Sequence, residues 1–430
     1  MELRVSGGAA DLRGTVRVPG DKSMTHRALL VGSMGNGPSR IHGSLRAGVV
    51  DAMEGCLAEL GIDIEHPEAD ETIVLGGRFR SPERALDCKN SGTTMRLLLG
   101  ALAGSQVSAT LAGSHQLSQR PMDRVVKPLR SMGADISGHN GADQPPLSIE
   151  GSRLHGIEYD MPVASAQVKT AIMLAGLHAD GPTHLHEPSP SRDHTERLLR
   201  ELGVSVHTNN ASLILEPIRT PLPNFETVIP GDFSAAAFVV AASVLVPGSE
   251  LEIERVGLNP SRLGLLEALK GMGARIALGP VSTQNGEPVG DLTARFSELK
   301  GIEVGQDRVV SMIDEIPIFA VLATQAHGET AVRGASELRL KESDRLSAMT
   351  HELRKMGAKI EEHLDGITIE GPTPLNGAQV SARGDHRVAM ALAIAGIIGN
   401  GQTTITEAEV IQQSFPEFAQ TLRSFGIGLH

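Results

Sequence analysis

Apolar and polar positions along this chain repeat on a scale far longer than a helical turn. Six times, an apolar residue, two or three mostly polar residues, a second apolar residue and a glycine are followed by alternating apolar positions. The stretches are LAELGIDI, LRSMGADI, LRELGVSV, LKGMGARI, LRKMGAKI and LRSFGIGL, ending at Ile64, Ile136, Val206, Ile276, Ile360 and Leu429. Their glycines, Gly61, Gly133, Gly203, Gly273, Gly357 and Gly426, are 72, 70, 70, 84 and 69 residues apart. Each stretch reads as a helix stopped by a glycine that feeds a strand of period two.

A more apolar helix precedes each stretch, over 22–34, 92–103, 165–177, 233–245, 314–324 and 385–398. Short strand-like runs such as ETIVLGG, THLHEP and GETAVRG lie between the helices, so each unit reads βαβαββ. Repeats of this length make the fold class α/β (α+β) with two similar halves of three repeats each. The halves share a phrase, Pro-Gly-Asp-x-Ser, as VPGDKSMTHR and again as IPGDFSAAAF 211 residues later (Asp21 to Asp232). The second copy has lost its basic residues and reads as packing. The expected lobes are 20–229, and 1–19 together with 230–430, because the first residues hold a strand without a helix. The chain would then cross between lobes near 18–20 and 229–232, two hinges flanking a cleft. The longest repeat step carries VSTQNGEPVG, a Gly/Pro/Asn-rich stretch that reads as a surface hairpin or loop.

Composition narrows the function classes. With no Trp and one Tyr in 430 residues the core must be aliphatic. A formal charge of −12 argues against coating nucleic acid, so any anionic ligand must meet locally concentrated Lys and Arg. Cys56 and Cys88 are too few for a disulfide framework, which fits a reducing cytoplasm, and neither has a partner base. No apolar run nears the ~20 residues of a membrane span, and the N-terminus has no targeting character. The expectation is a soluble cytoplasmic protein with no membrane or nucleic-acid partner.

Charge collects at the helix starts. Lys22, Ser23 and Arg27 open the first, Asn90-Ser91-Gly92-Thr93-Thr94 with Arg96 the second, and Ser165, Gln167 and Lys169 the third. Arg120 and Arg124 flank a loop-to-helix boundary, and Arg192 precedes another helix. Asp314 and Glu315, then the run LRLKESDRL with Arg339, Lys341, Glu342, Asp344 and Arg345, then Asp385, His386 and Arg387 follow in the second half. Any one of these could be a cap or a solvated ion pair worth about 0–1 kcal/mol. Equivalent starts of six repeats would instead converge, and arginines on several of them match at least two anionic groups. His184, His186 and Glu187 read as a solvated strand face rather than metal ligands. No nucleotide-binding glycine motif is present.

The motifs PGDKSMTHRALL, NSGTTMR, QRPMDR, SAQVKTA, SMIDEIP, LRLKESDRL, GDHRVAMA and SFPEF span nearly the whole chain. Together they resemble the 5-enolpyruvylshikimate-3-phosphate synthase family of enolpyruvyl transferases. That resemblance implies a two-lobed enolpyruvyl-transferase fold, each lobe three βαβαββ units. It implies transfer of the enolpyruvyl group of phosphoenolpyruvate to the 5-hydroxyl of shikimate 3-phosphate, in the shikimate pathway to chorismate and aromatic amino acids. Carried over by position, Lys22, Gly92, Arg120, Gln167, Arg345 and Arg387 would bind phosphoenolpyruvate. Lys22, Ser23, Arg27, Ser165, Ala166, Gln167, Asp314 and Lys341 would bind shikimate 3-phosphate. Arg192, in SRDHTE, would add a phosphate ligand, as in the form typified by glyphosate-tolerant bacterial enzymes. Lys22, Asp314 and Glu342 would be catalytic, with no metal or cofactor and a monomeric protein implied. Gln413 stands where many members carry a lysine, which moves phosphate binding toward Arg120 and Lys22. The rival transferase acting on UDP-N-acetylglucosamine typically carries a loop Cys or Asp, and GSHQLSQRPMDR holds no Cys.

Overall fold

All six repeat glycines adopt a left-handed backbone, with φ from 80° at Gly203 to 101° at Gly133. Each donates its N–H back to the carbonyl three residues earlier at 2.9–3.0 Å, as Gly61 does to Ala58 and Gly357 to Arg354. A side chain at these positions would meet the steric penalty that glycine avoids, so the residue type ends the helix and aims the following strand. The structure, a computed structural model, describes residues 1–141 and 143–430.

The chain divides into two compact units. The first comprises Gly20–Ile229 with Thr283–Glu287, and the second Met1–Pro19, Pro230–Ser282 and Pro288–His430. Each has its own largely aliphatic core, with Leu29, Leu98 and Ile172 in the first and Val321, Leu392 and Ile394 in the second.

Among the described residues, five of six small sheets share one strand order, a parallel strand, a central strand, then two antiparallel strands, and the sixth has the parallel, central and one antiparallel strand. In the second repeat these are Leu86–Asp87, Ser108–Ala112, Leu147–Glu150 and Asp135–Gly138. Strands from distant chain segments complete the sheets. Glu226–Val228 joins the first repeat parallel to Pro38–His42, with Thr227 opposite Ile41. Arg13–Arg17 joins the fourth repeat parallel to Glu250–Gly257. Leu3–Ser6 joins the sixth antiparallel to Gln402–Thr406, and Leu429 bridges to Val5.

The apolar helices are buried on nearly every side. They run over Lys22–Ser33, Gly92–Ala103 and Ala166–Gly176 in the first unit, and Phe233–Leu245, Ile316–Thr324 and His386–Ile398 in the second. A Cβ on Gly100 would lie 2.2 Å from the Ala171 carbonyl oxygen, so only glycine lets these two helices approach so closely.

The stretch VSTQNGEPVG is a hairpin, its strands Ser282–Gln284 and Glu287–Arg295 joined at Asn285 and Gly286, both of positive φ. It is the surface hairpin its composition indicates, exposed at Val281, Ser282, Thr283 and Asn285, and its turn is held by side-chain contacts. Asn285 donates to the Glu226 carbonyl at 3.1 Å, Arg197 donates to that of Gly286 at 2.8 Å, and His194 Nδ1 lies 2.7 Å from Glu287 Oε1. His194 and Glu287 are both buried, and a charged residue can sit there because its partner does. Cys56 and Cys88 are free and buried; the neighbouring Cys56, then burial, push the Cys88 thiol well above its ordinary pKa. Among the described residues, no helix is long and apolar enough to cross a membrane, and no group of three or more His, Cys, Asp or Glu is placed to hold a metal ion.

Candidate active site

In the first unit the three buried helices begin with a side-chain cap. Asp21 accepts from the Met24 N–H at 2.9 Å, Ser91 from Thr94 at 3.1 Å and Ser165 from Val168 at 3.5 Å. The caps put Lys22-Ser23, Gly92-Thr93 and Ala166-Gln167 in first turns, where backbone N–H groups favour anions. At the second start, a Cβ on Gly92 would lie 2.9 Å from Arg120 Nη1 and 3.2 Å from Arg96 Nη1. Gly92 leaves both guanidinium groups room at this helix start. Arg96 donates to Gln167 Oε1 at 2.6 Å and to the Pro121 carbonyl at 3.1 Å, while Gln167 donates to Thr93 Oγ1 at 2.8 Å. The structure thus brings Gly92, Arg120 and Gln167 together. It adds Arg96 as the residue that orients Gln167, a role that the one-turn spacing from Gly92 could have signalled.

Arg27 is buried and makes four hydrogen bonds within the unit. It donates to Thr195 Oγ1 at 2.7 Å, Thr170 Oγ1 at 2.8 Å, the Ser23 carbonyl at 3.0 Å and the Ala166 carbonyl at 3.3 Å. Burial lowers its pKa to about 10, which leaves it charged at neutral pH. Arg27 therefore braces the helix starts carrying Ser23 and Ala166, a role that a motif match does not reveal. Lys169 lies between two buried carboxylates, 2.7 Å from Glu187 and 2.7 Å from Glu196. Burial opposes its charge, but Glu196 and Glu187 outweigh burial and hold its pKa above the ordinary value. Glu187 is consequently not part of a solvated strand face: it answers a lysine presented by another element. Lys169 also donates to the Ser191 carbonyl at 3.3 Å, and Glu187 accepts from the Ser191 N–H at 3.3 Å. These bonds fix the segment that presents half-buried Arg192.

The second unit gathers its charges around one arginine. Arg345 opens the helix Arg345–Lys355, capped by Asp344, and its side chain is 1% exposed. It donates through Nε to Asp385 Oδ2 at 2.8 Å, Nη1 to Asp314 Oδ1 at 3.1 Å and Nη2 to Glu342 Oε2 at 2.7 Å. Burial disfavours this guanidinium, but Asp385, Glu342 and Asp314 outweigh burial and keep it protonated. Burial also opposes the Asp385 carboxylate, and Arg345 reverses the balance, lowering its pKa. Arg387, at the start of the sixth repeat's helix, lies 3.4 Å from Asp314 Oδ2 and donates to the Asp314 carbonyl at 3.2 Å. Lys341, half-buried, follows the 3₁₀ turn Ser336–Leu340. Asp314, Glu342, Arg345 and Arg387 thus form one cluster, with acidic and basic groups alternating around Asp314.

This architecture is that of the enolpyruvyl transferases. An enolpyruvyl transferase from Streptomyces tendae superposes with a TM-score of 0.80 at 20% identity, covering 100% of this chain and 98% of that one. The chain belongs to the EPSP synthase (3-phosphoshikimate 1-carboxyvinyltransferase) family, whose family model matches residues 7–422. It is 47% identical to a 3-phosphoshikimate 1-carboxyvinyltransferase of Thermodesulfovibrio yellowstonii, over 97% of this chain and 98% of that protein. It is 45% identical to the Geobacillus kaustophilus protein of the same name, over 98% and 100%. The EPSP synthase structure from Acinetobacter baumannii superposes with a TM-score of 0.89 at 38% identity, covering 100% and 99% of the two chains.

Proposed function

We infer that this chain transfers the enolpyruvyl group of phosphoenolpyruvate to the 5-hydroxyl of shikimate 3-phosphate, releasing phosphate, in the pathway to aromatic amino acids. The 5-oxygen attacks C2 of phosphoenolpyruvate and loses its proton, while the methylene carbon gains one. The resulting tetrahedral ketal expels phosphate and returns a proton from the methyl group, so the enol ether forms as the phosphate C–O bond breaks. In this reading Asp314 takes the hydroxyl proton, Glu342 delivers the proton to the methylene carbon, and Lys22 neutralises charge near both. Lys22, Gly92, Arg120, Gln167, Arg345 and Arg387 receive phosphoenolpyruvate. Lys22, Ser23, Arg27, Ser165, Ala166, Gln167, Arg192, Asp314 and Lys341 receive shikimate 3-phosphate. The protein acts as a cytoplasmic monomer, and the crossings near 18–20 and 229–232 serve as hinges.

The observation that supports the acid and base assignments is that Asp314 and Glu342 occupy the two Nη atoms of the single buried guanidinium of Arg345. Both proton-transfer groups are thereby held within one residue's reach. Phosphate release with phosphoenolpyruvate tests the reading. It should require shikimate 3-phosphate and be absent with UDP-N-acetylglucosamine; the reverse preference would overturn it.

A further inference from the structure

The second Pro-Gly-Asp-x-Ser phrase does more than pack. Asp232 caps the helix Phe233–Leu245 through the Ser234 N–H, and it also accepts from Arg262 Nη2 at 2.9 Å. Arg262 is 2% exposed, and it additionally donates to Ser234 Oγ at 2.7 Å. That bond uses Ser234 as an acceptor and leaves its own proton for the buried carboxylate of Glu315, which accepts at Oε1. Glu315 adjoins Asp314, is 1% exposed, and lies 3.9 Å from Arg387 Nη1. Among the described residues, its other oxygen, Oε2, has no hydrogen-bond partner, so the Ser234 hydroxyl sets where this carboxylate points.

We propose that Arg262 and Ser234 are positioning residues for Arg387, acting through Glu315, and hence for phosphoenolpyruvate binding in the proposed reaction. Charge alternates along the chain: Asp232 negative, Arg262 positive, then through the Ser234 hydroxyl Glu315 negative, Arg387 positive and Asp314 negative. Such an arrangement is self-supporting in a dry interior, where a buried charge without its partner is costly. Removing the Ser234 hydroxyl breaks the ordered link while leaving both ends charged. Glu315 is then free to turn toward Arg387 and draw its guanidinium from the position that would meet the substrate carboxylate. A binding group displaced by a fraction of an ångström loses much of its value.

This inference rests on the assignment of Arg387 to the phosphoenolpyruvate site, so the two are tested together. Ser234→Ala should raise KM for phosphoenolpyruvate about tenfold, with KM for shikimate 3-phosphate within about twofold of wild type. Ser234→Thr, which restores the hydroxyl, should recover most of the loss. A merely structural role would move both KM values together or neither, and either result overturns the proposal. Arg387→Lys separates the two readings. If it raises KM for phosphoenolpyruvate while Ser234→Ala does not, the Arg262–Ser234–Glu315 link is wrong and the site assignment stands. If Arg387→Lys leaves that KM unchanged, the assignment fails and the inference falls with it. Arg262→Lys keeps the cation without the guanidinium fork and should fall between wild type and Ser234→Ala.

Discussion

Asp314 and Glu342 share one guanidinium, and this sharing makes the proton-transfer roles testable residue by residue. Asp314→Asn and Glu342→Gln keep shape but remove the ability to exchange a proton. Each should lower kcat by about 10²–10⁴-fold while changing KM far less; near-wild-type turnover in both would refute the assignment. His26 offers a test of stability. It is buried, with Nδ1 2.8 Å from the Lys22 carbonyl and Nε2 3.1 Å from that of Val49. Burial lowers its pKa from 6.5 to about 4. The unfolded chain therefore takes up a proton at His26 before the folded one does. Its contribution is complete above pH 6.5 and is lost as pH falls toward 4, by up to about 3 kcal/mol. Urea midpoints measured between pH 7 and pH 4.5 should fall less steeply in His26→Gln than in wild type, and parallel curves would exclude the effect. Motif residues such as Lys22, Gly92 and Arg345 were legible because they stand at repeated helix starts. Arg262 and Ser234 were not, because Ser234 meets Glu315 across 81 positions and no local pattern encodes that.

At the scale of elements, the glycines divide into two kinds with different physical reasons. The six repeat glycines are required by backbone conformation and could be read from spacing alone. Gly100 has ordinary helical φ and is required by what lies opposite, a helix whose Ala171 Cα would be 2.5 Å from an added Cβ. Both crowded atoms are backbone, so the helices must separate to accept a methyl group. Gly100→Ala should cost about 3 kcal/mol, the upper end of ordinary overpacking, read as a clear fall in thermal midpoint. A midpoint within about 1 °C of wild type would show that the helix pair can relax. The hairpin at Asn285 and Gly286 shows the limit of composition. Its turn residues were readable, but the burial of Glu287 depends on His194, 93 positions away.

For the whole molecule, the proposed roles fall in both units, with Lys22 in one and Asp314 in the other. If the crossings near 18–20 and 229–232 are hinges, adding shikimate 3-phosphate should reduce the radius of gyration in small-angle scattering; an unchanged radius would count against them. The sequence by itself determined the six-fold repeat, the α/β class, the glycine-capped helices and the family, because these rest on short-range spacing, cap chemistry and motifs. Only the tertiary structure decided which strands complete each sheet, that Arg27 ties together the helix starts carrying Ser23 and Ala166, that Lys169 is paired inside the protein, and that Asp232 and Ser234 belong to a polar chain reaching Arg387. Those outcomes depend on which distant group answers each buried charge, and a buried charge is tolerated only where its partner comes to rest.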